Sequence, residues 1–300
     1  MSESPLHRPT PTRIVELPTA EAVRLRCVRL LGPCEILGDR SMPHGEALVL
    51  ELAARDGALW IAKTSRQAVH YEREKAALRD WAPTLGDRAP QLVHVDDEAQ
   101  LLVMTRVPGA SAPTEAGEQD PAIHRQAGEL ARGLHDCVPP YTDPAPSARL
   151  VAKLDRWIAI GVRAGLLSSA EIDFAVRRVG ELVALGPAVT VASHLDFQPR
   201  NWLVDASGTL RLIDFGRAGR DRWLADTERM LPRYWRDRPE LAAAFFTGYG
   251  RTPTDAELHA QRCQHAYGAL STIVWAHQHD DPGFLAEGRA QLAEQMAAAD

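Results

Sequence analysis

Residues 193–204 read Ser-His-Leu-Asp-Phe-Gln-Pro-Arg-Asn-Trp-Leu-Val, and residues 213–216 read Ile-Asp-Phe-Gly. Between these two segments, the apolar runs 202–204 and 210–213 flank the turn Asp-Ala-Ser-Gly-Thr. Two short apolar runs around a turn of this composition predict a β-hairpin. The hairpin would bring the ends of the two quoted segments together.

The register of this hairpin decides which side chains meet. If Asp205 lies opposite Leu210, the pairing places Asn201 opposite Asp214. An amide oxygen and a carboxylate at neighbouring strand ends are ligands that suit Mg²⁺. Asp196 lies five residues before Asn201 and is therefore expected near the metal without binding it. Its carboxylate would then be free to orient an acceptor hydroxyl and to take up the hydroxyl proton.

A second hairpin and a helix lie upstream. The runs 47–53 and 58–63 flank an Arg-Asp-Gly turn, so Lys63 is expected at the end of a strand. In the helix predicted over residues 67–81, Glu74 lies on the apolar face. A carboxylate on a packed face needs a cationic partner, and Lys63 is the candidate. The alternative for Lys63 is a solvated lysine at a strand end.

The remaining segments divide into a sheet region and a helical region. Residues 91–95 and 101–105 are predicted to add two strands, the second of which is broken by Pro108-Gly109. Residues 110–121 are predicted to be a linker. Helices are predicted over residues 20–31, 121–138, 148–164, 169–185 and 255–275. This order predicts an α+β protein with the sheet in its N-terminal part.

The central motifs resemble those of a known family. The order His-x-Asp-x-x-x-x-Asn over residues 194–201, followed by Ile-Asp-Phe-Gly at residues 213–216, resembles the signature of the aminoglycoside phosphotransferase and choline kinase group, relatives of protein kinases. The resemblance covers most of residues 36–300. It implies a bilobal protein-kinase-like α+β fold, with a small antiparallel-sheet N-terminal lobe and a mainly helical C-terminal lobe.

The composition and the resemblance together predict three parts of the chain. Residues 1–18 are expected to be a flexible N-terminal arm, because they are rich in proline and polar residues. Residues 19–107 are expected to be the nucleotide-binding lobe. Residues 108–300 are expected to be the catalytic and substrate-binding helical lobe.

The resemblance implies separate roles for the site residues. Asp196 would be the catalytic base, and Asn201 and Asp214 would hold the metal. Lys63, paired with Glu74, would grip the phosphates of the nucleotide. The implied cofactors are Mg²⁺ and ATP, with GTP as the alternative nucleotide.

Contacts with the rest of the nucleotide are less specific. The resemblance implies that the backbones of Thr105 and Val107 meet the adenine. The loop predicted over residues 36–45 lacks a Gly-x-Gly-x-x-Gly pattern, so it is either a phosphate-covering loop or a surface connection. The family usually has glycine after the histidine, where this chain has Leu195. Arg200 would either neutralise the transferring phosphate or be solvated.

The implied activity is that of a small-molecule kinase, an ATP-dependent phosphotransferase with an alcohol group as acceptor. The implied acceptor is an aminoglycoside-like, peptide or nucleoside antibiotic, whose O-phosphorylation would confer resistance. The alternatives are a metabolite kinase acting on choline, homoserine, a sugar or a nucleoside, and a nucleotide-binding regulatory protein without catalysis. Regulation of the protein-kinase type is disfavoured, because residues 216–226 leave no room for a long activation loop.

Composition limits the partners. The net charge of -6 and the pI of about 6.0 argue against a nucleic-acid partner or an anionic membrane surface. The apolar runs end well short of the roughly 20 residues that a membrane span needs, so a cytoplasmic protein is expected. The 4 cysteines include no Cys-x-x-Cys pair, so their spacing indicates neither a zinc site nor a disulfide framework. The expected partner is a small molecule that bears a hydroxyl, and the oligomeric state is left open.

Overall fold

The computed structural model describes residues 16–42, 46–111 and 118–298, and the chain forms two compact units. Unit 1 comprises Met1–Pro139, Ala192–Arg220 and Asp237–Gly250, and unit 2 comprises Pro140–Val191, Asp221–Arg236 and Arg251–Asp300. The lobe boundary predicted after residue 107 is a different division of the chain and stays a prediction. The predicted N-terminal arm, apart from residues 16–18, lies outside the described residues.

Unit 1 contains a five-stranded antiparallel sheet with the order β1-β2-β3-β5-β4. Its strands are β1 (Cys34–Asp39), β2 (Ala47–Ala54), β3 (Leu59–Ser65), β4 (Leu92–Asp96) and β5 (Leu101–Thr105). The predicted turn between β2 and β3 forms with Gly57 at a φ of 85°, a value that favours glycine. Lys63 pairs with Val49 on one side and with Leu102 on the other, so it lies in the central strand of the sheet.

The loop predicted over residues 36–45 is wrong in its first part. Residues 36–39 belong to β1, where Ile36 pairs with Leu52 and Asp39 pairs with Leu50. The extended conformation persists because pairing with β2 satisfies the backbone groups of this segment. Residues 43–45 lie outside the described residues, so the phosphate-covering role stays a prediction.

Helix α1 (Ala20–Leu31) has the bounds that the sequence predicts. The Thr19 hydroxyl accepts a hydrogen bond from the Ala22 N–H at 3.2 Å, and Gly32, with a φ of 81°, ends the helix. The buried face of α1 packs on the apolar side chains of the sheet. This core contains Val23, Cys27, Cys34, Leu50, Leu52, Ala62, Leu101 and Val103.

Helix α2 (Ala68–Asp80) places Glu74 among buried side chains. The exposed fraction of Glu74 is 1%, and Tyr71 and Leu78 are buried on the same helix. Glu72 instead accepts a hydrogen bond from Lys75 at 3.1 Å on the exposed surface. The apolar pattern of this helix therefore predicted correctly which of the two acids is buried.

The later elements are mainly helical, and the helices predicted there are confirmed with closely similar bounds. The helices are α3 (Pro121–Asp136), α4 (Ala148–Arg163), α5 (Ser169–Ala184), α6 (Pro239–Tyr249), α7 (Asp255–Gln278) and α8 (Pro282–Ala297). The strands are β6 (Ala110–Ser111), β7 (Tyr141–Asp143), β8 (Ala188–Ser193), β9 (Trp202–Val204), β10 (Leu210–Leu212) and β11 (Gly219–Asp221). Among the described helices, none is long and apolar enough to cross a membrane.

Helices α3 and α6 of unit 1 approach each other at glycines. A Cβ atom added to Gly128 would lie 2.0 Å from the carbonyl oxygen of Phe245. A Cβ atom added to Gly248 would lie 1.9 Å from the carbonyl oxygen of Arg125. Only glycine permits a backbone approach this close. The two glycines therefore set the distance between α3 and α6.

Unit 2 is built around α4, α5, α7 and α8. One core cluster joins α4, α5 and α7, and it contains Leu154, Ala175, Val179, Leu270 and Val274. A second cluster joins α5, α7 and α8, and it contains Phe174, Ala266, Ala269, Ile273 and Leu292. These two clusters hold α7 in the middle of unit 2.

Candidate active site

The loop after β8 is tied to the second motif by one histidine. His194 is fully buried, and its Nδ1 atom accepts a hydrogen bond from the Asp196 N–H at 3.3 Å. Its Nε2 atom lies 3.0 Å from the carbonyl oxygen of Ile213, which requires the proton to be on Nε2. The ring also packs edge-on against Phe215, with 4.9 Å between the ring centroids. His194 thus orients the loop against the Ile-Asp-Phe-Gly segment.

Leu195 has a backbone conformation that glycine adopts more readily than other residues. Its φ is 60°, in the left-handed region where a side chain is strained. A Cβ atom added to Gly219 would lie 3.3 Å from a methyl carbon of Leu195, so the leucine side chain fits against a residue that has none. The loop therefore keeps the turn that glycine would favour while carrying a leucine.

The Asp196 carboxylate is held by three side-chain donors. Its Oδ1 atom accepts a hydrogen bond from Gln198 Nε2 at 2.6 Å. Its Oδ2 atom accepts from Arg200 Nη2 at 2.6 Å and from Asn201 Nδ2 at 3.1 Å. Asp196 is only 3% exposed, so these bonds form in a largely water-excluded place and fix the orientation of the carboxylate.

Gln198 is a site residue that the sequence interpretation did not single out. It is fully buried and lies in the loop between Asp196 and Asn201. A buried glutamine amide needs partners, and the Asp196 carboxylate supplies one. The sequence signal that could have identified Gln198 is its position as a polar residue inside the motif of residues 194–201.

The Asn201 side chain is oriented by the hydrogen bonds of its amide nitrogen. Its amide nitrogen donates to the backbone oxygen of Asp196 at 2.8 Å as well as to Asp196 Oδ2. These two bonds orient the side chain so that Oδ1 is the atom able to bind a cation. The structure thus brings Asn201 next to the predicted base.

The predicted register of the hairpin is wrong by one residue. Val204 pairs with Leu210, and the Ile213 N–H donates to the Asn201 carbonyl at 3.0 Å, so Asn201 lies opposite Ile213 and not opposite Asp214. The reason is the turn. The Asp205 N–H donates to the Thr209 carbonyl, and the Asp205 side chain accepts bonds from two residues of the turn. Because these bonds make Asp205 pair with Thr209, every later pair of the hairpin is shifted by one residue from the prediction.

Asp214 reaches the site through its own backbone conformation. Its φ of 66° and ψ of 71° are left-handed, which turns the chain at the end of β10. Its Oδ1 atom lies 2.7 Å from Lys63 Nζ, and its side chain is 44% exposed. The carboxylate is therefore accessible to a ligand while it is anchored on one side.

The predicted pair of Lys63 and Glu74 forms. Lys63 Nζ lies 2.9 Å from Glu74 Oε1 and 2.8 Å from Oε2, and it also binds Asp214. Burial by itself would lower the pKa of Lys63, but the carboxylates of Asp214 and Glu74 outweigh it and raise this pKa. Burial raises the pKa of Glu74 despite the nearby lysine. The pKa of Asp214 is lowered, because the lysine outweighs the opposing effect of burial.

Thr105 and Val107 lie at the end of β5. The Thr105 N–H donates to the Gln91 carbonyl at 2.9 Å, and the Thr105 hydroxyl accepts from the Gln91 N–H at 2.9 Å. A backbone contact between Thr105 and a base would therefore have to use the carbonyl oxygen of Thr105. Val107 is 7% exposed and follows the strand. The adenine contacts of both residues stay predictions.

Comparison with known sequences identifies one family. The profile of the phosphotransferase enzyme family matches residues 48–260, a segment that contains every predicted site residue. No curated protein sequence matches the chain.

Comparison with solved structures shows the fold. A choline/ethanolamine kinase family protein from Mesorhizobium loti is 21% identical, with a TM-score of 0.67 over 92% of this chain and 93% of that chain. Aminoglycoside phosphotransferase APH(4)-Ia is 14% identical, with a TM-score of 0.72 over 94% and 100%. APH(2")-IIa, solved in a ternary complex with streptomycin and ATP, is 13% identical, with a TM-score of 0.62 over 93% and 97%. The predicted kinase-like α+β fold is confirmed.

Proposed function

Because the chain belongs to the phosphotransferase enzyme family, we propose that it transfers the γ-phosphoryl group of MgATP to a hydroxyl of a small-molecule antibiotic. ATP is the proposed donor, and GTP is the alternative. The product would be an O-phosphorylated antibiotic, and this modification would confer resistance.

The observation that carries the proposal is the state of Asp196. It is a buried carboxylate held by Gln198, Arg200 and Asn201, within the same compact unit as Lys63. A fixed carboxylate in a water-poor place suits a group that must orient a hydroxyl and accept its proton. If Asp196 only anchored its loop, all of its partners could be buried. One of them, Arg200, instead has a side chain that is 44% exposed, so the loop reaches the surface.

In the proposed phosphoryl transfer, Asp196 acts as the base. The acceptor oxygen forms a bond to the γ-phosphorus while the bond from the γ-phosphorus to the bridging oxygen breaks and ADP leaves. The hydroxyl proton passes to the Asp196 carboxylate. Arg200 is the partner of Asp196 that is able to move away, because it is the exposed one of the three donors. Its release would open Oδ2 to the acceptor.

The oxygen donors of Asn201 and Asp214 fit a magnesium ion. Asn201 offers its amide oxygen, and Asp214 offers a carboxylate that is 44% exposed. The bound ion would neutralise negative charge on the phosphates of the nucleotide. The main-chain turn at Asp214 and the hydrogen bonds of Asn201 fix these two groups before any ion arrives.

Lys63 has a second proposed task in nucleotide binding. In the structure its ammonium group is bound to the carboxylates of both Glu74 and Asp214. We propose that Nζ turns from Asp214 to the phosphates while it keeps its bond to Glu74. Glu74 is 1% exposed and needs this cation, so it would hold the lysine in place.

Aminoglycosides, which carry both hydroxyls and cationic groups, come first among the proposed acceptors, because the solved structures similar to this chain include aminoglycoside phosphotransferases.

A metabolite kinase is the alternative within the same reaction class. The likeness to the choline/ethanolamine kinase family protein supports it, since choline also combines a cation with a hydroxyl. A nucleotide-binding regulatory protein is a weaker alternative. It would not need Asp196, Asn201, Asp214 and Lys63 together in one compact unit.

The test is a mass-spectrometric search for phosphorylated products. Purified protein is incubated with MgATP, or with MgGTP, and with panels of antibiotics and metabolites. The expected result is the mass gain of one phosphoryl group on an antibiotic, strongly reduced with Asp196→Asn. Phosphorylation of a metabolite alone would favour the metabolite kinase, and nucleotide binding without any product would overturn the enzyme proposal.

A further inference from the structure

Three potential metal ligands converge in unit 2, and none of them belongs to the candidate active site described above. Cys263 Sγ lies 3.5 Å from Glu181 Oε2 and 3.7 Å from His259 Nε2. His259 Nε2 lies 3.8 Å from the same Glu181 oxygen. A thiol, an imidazole and a carboxylate thus point at one common space.

Two packed helices bring these side chains together. His259 and Cys263 are four residues apart on α7 and therefore share a face, and Glu181 projects from α5. The helices are joined at this level by an apolar contact of Leu182 with Ala260 and Cys263. The ligand positions therefore rest on regular helices and not on loops, which favours a defined geometry.

The distances match those around a tetrahedral zinc ion. With Zn–S near 2.3 Å and Zn–N or Zn–O near 2.1 Å, the ligand atoms of a tetrahedron lie about 3.3 to 3.6 Å apart. Both sulfur distances agree with this range within about 0.2 Å. The distance between nitrogen and oxygen is a few tenths of an ångström longer, a gap that a small side-chain rotation would close.

We propose that Glu181, His259 and Cys263 form a zinc site with water as the fourth ligand. The donor set of one thiolate, one imidazole and one carboxylate is suited to Zn²⁺ and unsuited to Mg²⁺. The site lies within unit 2, whereas Asn201 and Asp214 belong to unit 1. It is therefore independent of the proposed magnesium site and of the proposed function.

The thiol proton of Cys263 lies where zinc would bind. The Cys263 thiol donates to Glu181 Oε2, and zinc would replace this proton, which passes to solvent as the Zn–S bond forms. Cys263 is fully buried, but the side chains of His259 and Glu181 are 39% and 34% exposed. An ion can therefore enter from the side of these two residues.

Arg178 competes with the metal for one ligand atom. Its Nη1 atom lies 2.9 Å from Glu181 Oε2, and its guanidinium group lies 5.4 Å from the centre of the Phe174 ring. The guanidinium must give up this oxygen when zinc binds. Arg178→Gln removes the competing cation and should tighten zinc binding severalfold.

Cobalt titration of the reduced full-length chain tests the proposal. Co²⁺ occupies zinc sites, and a cobalt–thiolate bond produces a charge-transfer absorption in the near ultraviolet. The expected result is one equivalent of Co²⁺ with this absorption, displaced by Zn²⁺ and unaffected by excess Mg²⁺. Cys263→Ser should abolish the absorption. Cys263→Ser and His259→Ala should each weaken Co²⁺ binding at least about tenfold.

The matched control is Cys137→Ser, which alters a half-buried cysteine of unit 1 and should leave the titration unchanged. His259→Ala removes a partly exposed ligand, so it remains informative if Cys263→Ser fails to fold. Absence of the thiolate absorption in the unmodified chain overturns the proposal. Retention of one tightly bound cobalt ion in both ligand variants overturns it as well.

Discussion

Lys63 Nζ lies 2.7 Å from Asp214 Oδ1, although the two residues are 151 positions apart in the chain. The same ammonium group is bound to Glu74 at 2.9 Å, so one cation serves two carboxylates. The three groups carry a net charge of about -1 when all are ionised. In the proposed function, the metal ion held by Asn201 and Asp214 would supply positive charge beside Asp214, so that Lys63 could turn from Asp214 to the phosphates.

Lys63→Met should destabilise the chain by about 3 to 5 kcal/mol, because it leaves the buried Glu74 carboxylate without its cation. The double variant Lys63→Met, Glu74→Leu should recover much of this loss, since it removes both charges. Urea unfolding of the two variants and of Glu74→Leu measures the coupling. Nucleotide binding should be lost in both Lys63 variants, which separates the stability effect from the proposed function. Equal stability of the single and double variants would contradict this account.

Asp196→Asn should lower turnover by about 10² to 10⁴-fold, because the amide cannot accept the hydroxyl proton. The affinity for nucleotide should change by less than a few fold, since Asp196 is not expected to bind the phosphates. Steady-state rates with an identified acceptor and calorimetric nucleotide binding provide the two measurements. Loss of nucleotide affinity in a folded variant would move Asp196 out of the role of base.

Glu228 should make the stability of the chain fall as the pH rises. Burial raises its pKa from 4.5 to about 7, so between these values the folded chain holds a proton that the unfolded chain releases. The stabilisation present below pH 4.5 is therefore lost as the pH rises through about 7. Glu228→Gln should remove this dependence. At pH 8 the free energy of unfolding of the variant should therefore exceed that of the unmodified chain by up to about 3 kcal/mol.

Urea unfolding between pH 4 and pH 8 measures the Glu228 effect. Asp221→Asn is the comparison variant. The pKa of Asp221 is raised from 3.8 to about 6, so the stabilisation that its proton provides is lost at a lower pH than that of Glu228. A constant difference in unfolding free energy between Glu228→Gln and the unmodified chain across this range would show that Glu228 titrates normally.

Gly128→Ala should destabilise unit 1 by about 1 to 3 kcal/mol or more, because its Cβ atom would collide with the Phe245 carbonyl. Gly180→Ala on α5 is the matched control. A Cβ atom at Gly180 would meet no atom within 4 Å, so this helix should gain roughly 0.5 to 1 kcal/mol. Thermal unfolding of both variants tests the contrast, and destabilisation of equal size in the two would refute the proposed close contact of α3 and α6.

Phe245 also links this helix crossing to the loop that carries Asp196. Its ring centroid lies 6.3 Å from that of Phe197, which follows Asp196 in the chain. Gly128→Ala should therefore lower activity as well as stability, whereas Gly180→Ala should leave activity unchanged.

Local chemistry was sufficient to predict several features of this protein from its sequence. Helix α1 begins after Thr19, whose hydroxyl satisfies a free backbone N–H of the first turn. It ends before Gly32, whose positive φ stops the helix. The apolar stripe of α2 identified Glu74 as the buried acid, and the need of a buried carboxylate for a cation made Lys63 the candidate partner, a pair that the structure contains. The order and spacing of the two central motifs indicated the family and its fold.

Other features depend on groups that meet only in the folded chain. The hairpin register follows from the bonds of Asp205 within its turn, so Asn201 faces Ile213, and Asp214 reaches Lys63 only through a left-handed turn. The spacing of the cysteines gave no sign of a metal site, because Glu181 and Cys263 are 82 residues apart and meet only where α5 packs on α7. Periodicity and spacing report on neighbours along the chain, whereas such contacts are decided by how helices and strands pack.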